Sequence, residues 1–494
     1  MISLMVTIPH CCQPGKNGDF RAMSKYPLLN PVLICLLSWC TLTFAAPSKS
    51  HPSISESQPE TRSGREINRT GNYLSLSGTQ LIDSQGNSVR LTGVNWFGFE
   101  TSNMLTHGLW TRDYESMLQQ ISDLGFNCIR LPFCDAMLAS ETPVNVNTWG
   151  PDPYTGAHPM NAELEGATPL EALDIILDRA RDMGLKIILD SHSRNADGYM
   201  AEELWYTDNI SEEEWIANWV MLAERYLDND AVIGCDINNE PHGQATWGGS
   251  PETDWKSAAE RCGNAILQVN PNVLIIVEGV EQFQNDYYWW GGNLMGVMND
   301  PVELIYPEKL VYSPHEYGPE VHLQPWFDSF VFPYNMSGIW NTHFGFIMIE
   351  DIGHLLMGEF GIGDESYYGG VAGEWFSFLM DYIGPEYSWT YWCMNPNSGD
   401  TGGILMDDWV SVHDWKMDYL IPHLDAPIAN YSNITSGDVN GDENIDVLDI
   451  VLTVDFVLGN AEPTGSQMFA GDINSDGLLD ILDIVLMVGL VLNP

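Results

Sequence analysis

Two glutamates that lie far apart in the chain each end a short apolar stretch and could act together on one bond. Glu240 stands in the run 237–240 and Glu359 in the run 356–361. Cleaving the acetal bond between two sugars requires a carboxylic acid that protonates the leaving oxygen and a carboxylate that attacks or stabilises the developing cation. The carboxyl ends of parallel barrel strands converge at one mouth, so distant glutamates can meet there. The pair therefore predicts hydrolysis of glycosidic bonds.

Further polar residues follow other apolar runs and strengthen this prediction. A single glutamate at a strand end more often makes a structural ion pair or faces solvent. In this chain, however, polar groups also stand at the ends of three other predicted strands: Arg130, His192, and His315 with Tyr317. Their recurrence at strand ends favours one shared site.

The charge of the chain limits its partners. Its 494 residues include 68 Asp and Glu against 19 Lys and Arg, a formal charge of −49. This charge repels nucleic acid and anionic membrane surfaces, so we expect neither as a partner. A saline habitat and an acidic composition common to the lineage explain this charge equally well.

An apolar segment near the N-terminus predicts export. Residues Tyr26–Ala46 have an apolar centre, with Lys25 before it and small residues after it, which is typical of a secretory signal. Its polar interruptions make it too short for a spanning helix. We assign 1–46 to a signal peptide with Met23 as the expected start, and 47–72, rich in Ser, Pro, Glu and Arg, to a disordered linker. The mature protein is expected to be secreted and extracellular.

Eight β-rich runs alternate with amphipathic helical stretches between residues 73 and 427. The predicted strands are 89–96, 127–131, 185–190, 231–238, 273–278, 309–315, 355–360 and 387–393, and the predicted helices are 114–124, 170–183, 212–227, 255–267 and 373–382. This alternation predicts an α/β fold, the (β/α)8 TIM barrel. A doubly wound open sheet would usually carry a glycine-rich phosphate turn after its first strand, and none follows Trp96.

Five cysteines lie beyond the leader. An odd number cannot all pair, and three of them lie in or beside apolar runs, so buried free thiols are favoured over a disulfide framework. None has the spacing of a zinc site. The residues are Cys128, Cys134, Cys235, Cys262 and Cys393.

A linker at 428–436 precedes a duplicated acidic motif in residues 437–494. Each copy places oxygen donors at loop positions 1, 3, 5, 7, 9 and 12 before an apolar helical run, the spacing with which a calcium loop surrounds its ion. An acidic solvated turn is the alternative, but two copies in register argue against it. The tail therefore predicts a small all-α, EF-hand-like domain with two structural Ca²⁺ ions. The predicted ligands are Asp438, Asn440, Asp442, Asn444, Asp446 and Asp449 in the first loop, and Asp472, Asn474, Asp476, Leu478, Asp480 and Asp483 in the second.

From Gly437 onward this tail resembles the dockerin family, whose members bind cohesin modules. The resemblance implies a cohesin-bearing scaffold protein as a partner. The family's contact positions 10 and 11 are apolar here, namely Val447, Leu448, Ile481 and Leu482, where well-known members carry hydroxyl pairs. These side chains could alternatively pack the two helices together.

The segment from about Tyr73 to Leu424 carries several longer motifs. They are VNWFGFE at 94–100, HGLW at 107–110, NNEPH at 238–242, YWWGGNL at 288–294, GEFG at 358–361 and NSGDTGGIL at 397–405. On these motifs the segment resembles glycoside hydrolase family 5, and more closely its bacterial endo-β-1,4-glucanase branch. Departures such as Met394, where relatives usually have Trp, leave the outer sugar subsites open.

The resemblance implies roles for individual residues. Glu240 is expected to be the acid/base and Glu359 the nucleophile of a retaining mechanism, which needs no metal. The other expected site residues bind the substrate or support the pair: Arg130 and Tyr317 at Glu359, Asn239 at the sugar 2-hydroxyl, His192 and His315 in the site, Trp392 as its apolar floor, and Trp110, Trp289 and Trp290 as extensions of that floor.

Together these features predict a secreted endo-β-1,4-glucanase that acts on cellulose or a related β-glucan and carries a calcium-binding tail. A xyloglucanase, a mixed-linkage glucanase or a mannanase would share the carboxylates and differ only in its sugar contacts. A catalytically silent carbohydrate-binding component is the alternative from another class.

Overall fold

The computed structural model describes residues 72–198, 201–428, 435–442, 444–461, 463, 465–474 and 478–492. The predicted signal peptide and linker, except for its last residue, lie outside these ranges, as do most of the second linker and Asp476.

Eight parallel strands close into a barrel, which confirms the predicted fold class. Each strand pairs with its neighbours in the chain, and the eighth pairs with the first. In chain order the barrel strands are Thr92–Asn95, Cys128–Cys134, Lys186–Ser193, Val232–Asp236, Leu274–Glu278, Leu310–Ser313, His354–Met357 and Ser388–Tyr391.

Two of these strands resume after a one-residue interruption. Pro314 follows the sixth strand and Gly358 the seventh, after which the segments His315–Tyr317 and Glu359–Gly361 pair with each other as a separate parallel ladder. Proline cannot donate to a ladder, so the interruption at Pro314 follows from its chemistry. The sequence had predicted one continuous strand at each place.

The apolar core has two layers. The inner layer fills the barrel with side chains such as Ile188, Ile233 and Ile276 and continues into Leu74 and into Leu81 of an N-terminal sheet. The outer layer lies between the strands and the surrounding helices. Because the barrel strands are buried on both faces, their sequences are near-continuous apolar runs.

The N-terminal sheet was not predicted. Its antiparallel strands are Ser75–Ser77, Gln80–Ile82 and Ser88–Val89. The predicted strand 89–96 is therefore wrong at its start, because Val89 pairs in this small sheet and the barrel strand begins only at Thr92. A short hairpin, Gln282–Phe283 with Asp286–Tyr287, follows the fifth strand in the chain.

The five predicted helices are present, and none of their ends differs from the prediction by more than two residues. Side chains cap several of them: Thr168 forms a reciprocal capping box with Glu171, and Asp113, Ser211 and Asp254 accept bonds from first-turn N–H groups. The α-helices of the barrel are Tyr114–Asp123, Asp135–Leu138, Pro169–Asp182, Glu212–Arg225, Trp255–Val269, Met336–Trp340, Phe346–Ile349, Val371–Ile383 and Asp414–Leu420, with a π-helical turn at Asn341–Gly345 and 3₁₀ turns at Ala162–Leu164, Met295–Met298, Pro307–Lys309, Pro325–Asp328, Tyr367–Gly369 and Ile421–His423.

The tail is helical, with helices Val447–Val457, Gly465–Gly471 and Ile481–Leu492. A small core of Val439, Ala470 and Met487 joins them. Val447, Leu448, Ile481 and Leu482 are all more than half exposed, so within the described tail these side chains do not form its core. Across the described ranges, no helix has both the length and the apolar character that a bilayer crossing requires.

Candidate active site

The mouth of the barrel brings the two predicted glutamates together. Glu240 lies just beyond the fourth strand, and Glu359 begins the extension of the seventh. Glu240, His315 and Glu359 each place one ligating atom within 4.8 Å of those of the other two. Both carboxyl groups line a cavity of about 600 Å³. They can therefore face the same bond of a substrate in that cavity.

Glu240 is held in an uncommon backbone conformation. Its φ of 46° lies in the left-handed region, which residues other than glycine rarely adopt. Its N–H donates to Glu278 Oε2 at 2.7 Å, and its carbonyl lies 2.7 Å from His242 Nδ1. Burial, with a smaller contribution from the charge of Glu359, raises the pKa of Glu240 to about 7 against the lowering effect of its hydrogen bond with His315.

Glu359 is bonded through both of its oxygens. Arg130 Nη1 donates to Oε1 at 2.7 Å, and the Tyr317 hydroxyl donates to Oε2 at 2.7 Å. Hydrogen bonds to the ionised form favour that form. The predicted contacts of Arg130 and Tyr317 with Glu359 are present.

Arg130 connects several acids beneath the cavity. Its guanidinium lies within 3.2 Å of Asp190, Asp236 and Glu278, besides its bond to Glu359. Burial alone would lower the pKa of Arg130, but these carboxylates raise it well above its ordinary value. The guanidinium therefore stays charged although it is completely buried.

The sequence reasoning missed the acids around Arg130. Burial raises the pKa of Asp236 and of Glu278 well above the ordinary range, and Arg130 offsets only part of this effect. For Asp190 the outcome is opposite: despite burial, Arg130 and His192 lower its pKa. Asp236 and Glu278 end the fourth and fifth strands. The pattern that identified Arg130, a polar residue at the end of a predicted strand, could therefore have identified them as well.

His192 lies in a parallel stack of three rings. Its ring is 5.7 Å from that of Trp392, and Phe97 stacks on Trp392 at 5.5 Å. Its Nδ1 lies 2.7 Å from Asp190 Oδ2. Burial would lower the pKa of His192, but Asp190 raises it to about 9, so the imidazole is cationic at neutral pH. The stack places the indole of Trp392 at the cavity wall.

Glu100, the last residue of the motif at 94–100, lies near His192 and was not predicted as a site residue. Its carboxyl accepts from the Gly98 N–H at 2.8 Å. Burial raises its pKa to about 7, and the neighbouring His192 lowers it.

The remaining predicted residues lie in three places. Asn239 accepts from Arg130 Nη2 at 2.9 Å and so lies within the charged cluster, and His315 Nδ1 lies 2.9 Å from Glu240 Oε1. Trp289 and Trp290 line the cavity, where Trp290 stacks on His242 at 3.8 Å. Trp110 does not line this cavity but packs against His107 and Trp409.

Over most of the barrel this chain is similar to a known protein family and to characterised enzymes. Residues 82–398 match the family model described as cellulase, glycosyl hydrolase family 5. An endoglucanase of Paenibacillus polymyxa is 45% identical over 353 residues, which span 70% of this chain and 86% of that protein. The chain belongs to glycosyl hydrolase family 5.

Solved structures of family 5 enzymes agree with the barrel. The catalytic domain of the major endoglucanase from Xanthomonas campestris is 41% identical, with a TM-score of 0.64 over 70% of this chain and 98% of that domain. An endocellulase variant from Pyrococcus horikoshii, solved as a complex with cellotetraose, is 40% identical, with a TM-score of 0.65 over 72% of this chain and 99% of that one. The predicted family membership is therefore confirmed.

The tail of this family 5 protein matches a second model. Residues 436–492 match the dockerin type I domain, which confirms the predicted resemblance. In the first loop, Asp438 accepts from the N–H groups of Gly441 and Asp442, while the fully buried Asp449 accepts from those of Asn440 and Asp446.

The second loop repeats part of this pattern. Asp483 is also fully buried and accepts from the N–H groups of Asn474 and Asp480. Among the described Asp, Glu, His and Cys residues, no three side chains in either loop converge within 4.8 Å as those of Glu240, His315 and Glu359 do.

Proposed function

We propose that the barrel hydrolyses internal β-1,4-glucosidic bonds of cellulose or a related β-glucan with retention of configuration. The observation that carries this proposal is the approach of Glu240 and Glu359 oxygens to within 4.8 Å in one cavity. Retaining glycosidases have carboxyl groups about 5–5.5 Å apart, whereas inverting enzymes need more room for a water molecule.

In the first step, Glu359 attacks the anomeric carbon while Glu240 donates its proton to the glycosidic oxygen. The carbon–oxygen bond breaks, its electron pair remains on the protonated leaving oxygen, and an ester joins the sugar to Glu359. In the second step, Glu240 takes a proton from water, the water oxygen attacks the same carbon, and Glu359 is released as a carboxylate.

The electrostatics support this exchange of roles. The negative charge of Glu359 is one of the effects that raise the pKa of Glu240. Formation of the ester removes that charge, so the pKa of Glu240 falls and its carboxylate becomes available as a base. Arg130 and Tyr317 each donate a hydrogen bond to one oxygen of Glu359 and so hold its carboxyl group in position for the attack.

The cavity walls suit a glucan chain. Pyranose rings present apolar C–H faces to aromatic surfaces, and Trp392, Trp289 and Trp290 line the cavity beside the carboxyl pair. The related Pyrococcus enzyme was crystallised with cellotetraose. We therefore assign these indoles to sugar binding and Asn239 to the sugar 2-hydroxyl. Trp110 is assigned to an outer subsite, because it lies outside the cavity.

The choice among β-glycans is tested with carboxymethylcellulose, barley mixed-linkage glucan, xyloglucan and mannan, assayed side by side. We expect carboxymethylcellulose to be cut fastest, with a steep fall in viscosity that marks internal cleavage. Dominant activity on mannan would contradict the proposed substrate. No activity on any of these glycans would instead favour the silent binding component.

We further propose that the tail binds two Ca²⁺ ions. Each loop supplies carboxylate, amide and carbonyl oxygens, the donors that this hard cation prefers. In the first loop the ligands would be Asp438, Asn440, Asp442, the carbonyl of Asn444, Asp446 and Asp449. In the second they would be Asp472, Asn474, Asp476, the carbonyl of Leu478, Asp480 and Asp483. The ion would offset the repulsion among these carboxylates.

A cohesin-type module on a scaffold protein is the proposed partner of the tail. The match to the dockerin type I domain supports this partner. The exposed Val447, Leu448, Ile481 and Leu482 offer an apolar contact surface for it. Secretion through the segment 1–46 is the proposed route to an extracellular polysaccharide, and one relative is named as a major extracellular endoglucanase.

A further inference from the structure

Glu316 lies between two site residues, but its side chain faces away from them. It is the middle residue of the strand His315–Tyr317, and it is completely buried. Successive residues of a strand point to opposite sides. Because His315 and Tyr317 reach Glu240 and Glu359, the Glu316 carboxyl projects behind the cavity wall.

That carboxyl meets the rings that form the wall. The Tyr288 hydroxyl donates to Glu316 Oε2, and the indole N–H groups of Trp289 and Trp340 interact favourably with the ionised form of Glu316. Burial nevertheless outweighs these contacts and raises the pKa of Glu316 to about 8.

Tyr288 and Trp289 both line the substrate cavity. Tyr288 stacks on His343 at 3.9 Å, and Trp289 packs edge-on against Tyr317 at 6.0 Å. Within the described residues, Trp289 Nε1 is buried and has no hydrogen-bond partner of normal geometry. The orientation of this indole therefore depends on its ring contacts and on Tyr288, the preceding residue, whose hydroxyl is bonded to Glu316.

We propose that Glu316 is a positioning residue that holds Tyr288 and Trp289 as one wall of the substrate cavity and thereby sets the affinity for the sugar bound there. This inference rests on the proposed glucanase function. It concerns binding rather than bond cleavage, since the Glu316 side chain lies on the far side of the strand from the carboxyl pair.

The test compares kcat and KM on cello-oligosaccharides for Glu316→Leu and Glu316→Gln. The leucine variant loses the bond to Tyr288, and we expect KM to rise about tenfold while kcat stays within about threefold. The glutamine oxygen still accepts from the Tyr288 hydroxyl, so this variant should restore KM to within about threefold of the native value. Glu320→Leu, a partly buried acid on the following loop, is the matched control with unchanged KM.

A double-variant cycle identifies the route of the effect. If Glu316 acts through Trp289, then Glu316→Leu should add little to the KM of Trp289→Ala. Full additivity, or a KM for Glu316→Leu equal to the native one, would overturn the proposal. Should the leucine variant fail to fold, Tyr288→Phe removes the same hydrogen bond and should raise KM in the same direction, and an unchanged KM would again contradict the idea.

The positioning role of Glu316 can also be tested without measuring activity, in case the native enzyme cleaves no glucan and the proposed function is wrong. The indole N–H resonance of Trp289, assigned through Trp289→Phe, should shift in Glu316→Leu and stay in place in Glu320→Leu. An unmoved resonance would overturn the positioning role independently of activity.

Discussion

His315 lies directly opposite Glu359 in the register of two short parallel strands, and its Nδ1 is 3.7 Å from Glu359 Oε2. The same nitrogen is 2.9 Å from Glu240 Oε1. One imidazole thus sits between both carboxyl groups. The ladder that holds it begins after Pro314 and Gly358, where the two barrel strands are interrupted.

This contact predicts the pH dependence of catalysis. The acid Glu240 must be protonated to start the reaction, and its pKa is raised to about 7, so kcat/KM should fall as the pH rises through about 7. His315 lowers the pKa of Glu240, and therefore His315→Phe should move this alkaline limb to higher pH. His354→Gln, at the opposite end of the barrel, is the control. An unchanged alkaline limb of the kcat/KM profile in His315→Phe would contradict the predicted effect of His315 on the pKa of Glu240.

The assignment of the acid/base predicts a specific rescue. Glu240→Ala should lower kcat on cellulose about 10²–10⁴-fold, because the leaving oxygen loses its proton donor. Substrates with an activated aryl leaving group need less protonation and should still form the glycosyl ester. Azide should then restore turnover and yield a β-glycosyl azide detectable by NMR. An α-azide would rule out double displacement through Glu359.

Removal of Arg130 should destabilise the fold as well as the site. Arg130→Met leaves Asp190, Asp236 and Glu359 without their shared cation, and a broken buried ion pair typically costs about 3–5 kcal/mol. Arg225→Met breaks a partly exposed pair with Asp174 and should cost only about 0–1 kcal/mol. Urea unfolding of both variants measures the difference, and equal losses would contradict the central role of Arg130.

Trp392 and Trp110 should differ in their effect on short substrates. Trp392 lines the cavity within its stack, whereas Trp110 lies outside it. Trp392→Ala should lower kcat/KM on cellotriose at least about tenfold, through loss of an aromatic contact and of its packing. Trp110→Ala should change this value less than about threefold and affect only longer chains. The reverse order would refute the assigned subsites.

Calcium removal should unfold the tail without inactivating the barrel. A chelator should reduce the helical circular dichroism of an isolated 435–494 fragment, because the repulsion among the loop carboxylates is then uncompensated. Asp449→Ala should weaken calcium binding, since Asp449 is buried and its carboxylate accepts from the Asp446 N–H in the capping box at the start of its helix. Asp455→Ala, on an exposed part of that helix, is the control. A spectrum unaffected by the chelator would count against the two calcium sites.

The local pattern of the sequence determined much of this protein. Strands buried on both faces need apolar runs, so the eight barrel strands could be located, and polar residues at their ends identified Glu240, Glu359 and Arg130. The duplicated spacing of Asp and Asn indicated the tail loops without any tertiary information, because calcium ligation within one loop depends only on nearby residues.

Only the tertiary structure decided how the side chains meet. The pKa of Glu240 depends on burial by residues from other strands, and the contacts of Arg130 with four acids join strands up to 229 positions apart in sequence. Pairing of Thr92 with Trp389 sets the start of the first barrel strand, and packing against His107 and Trp409 holds Trp110 outside the cavity. Such outcomes are non-local: desolvation and packing depend on which segments become neighbours, and a single run of residues does not contain that information.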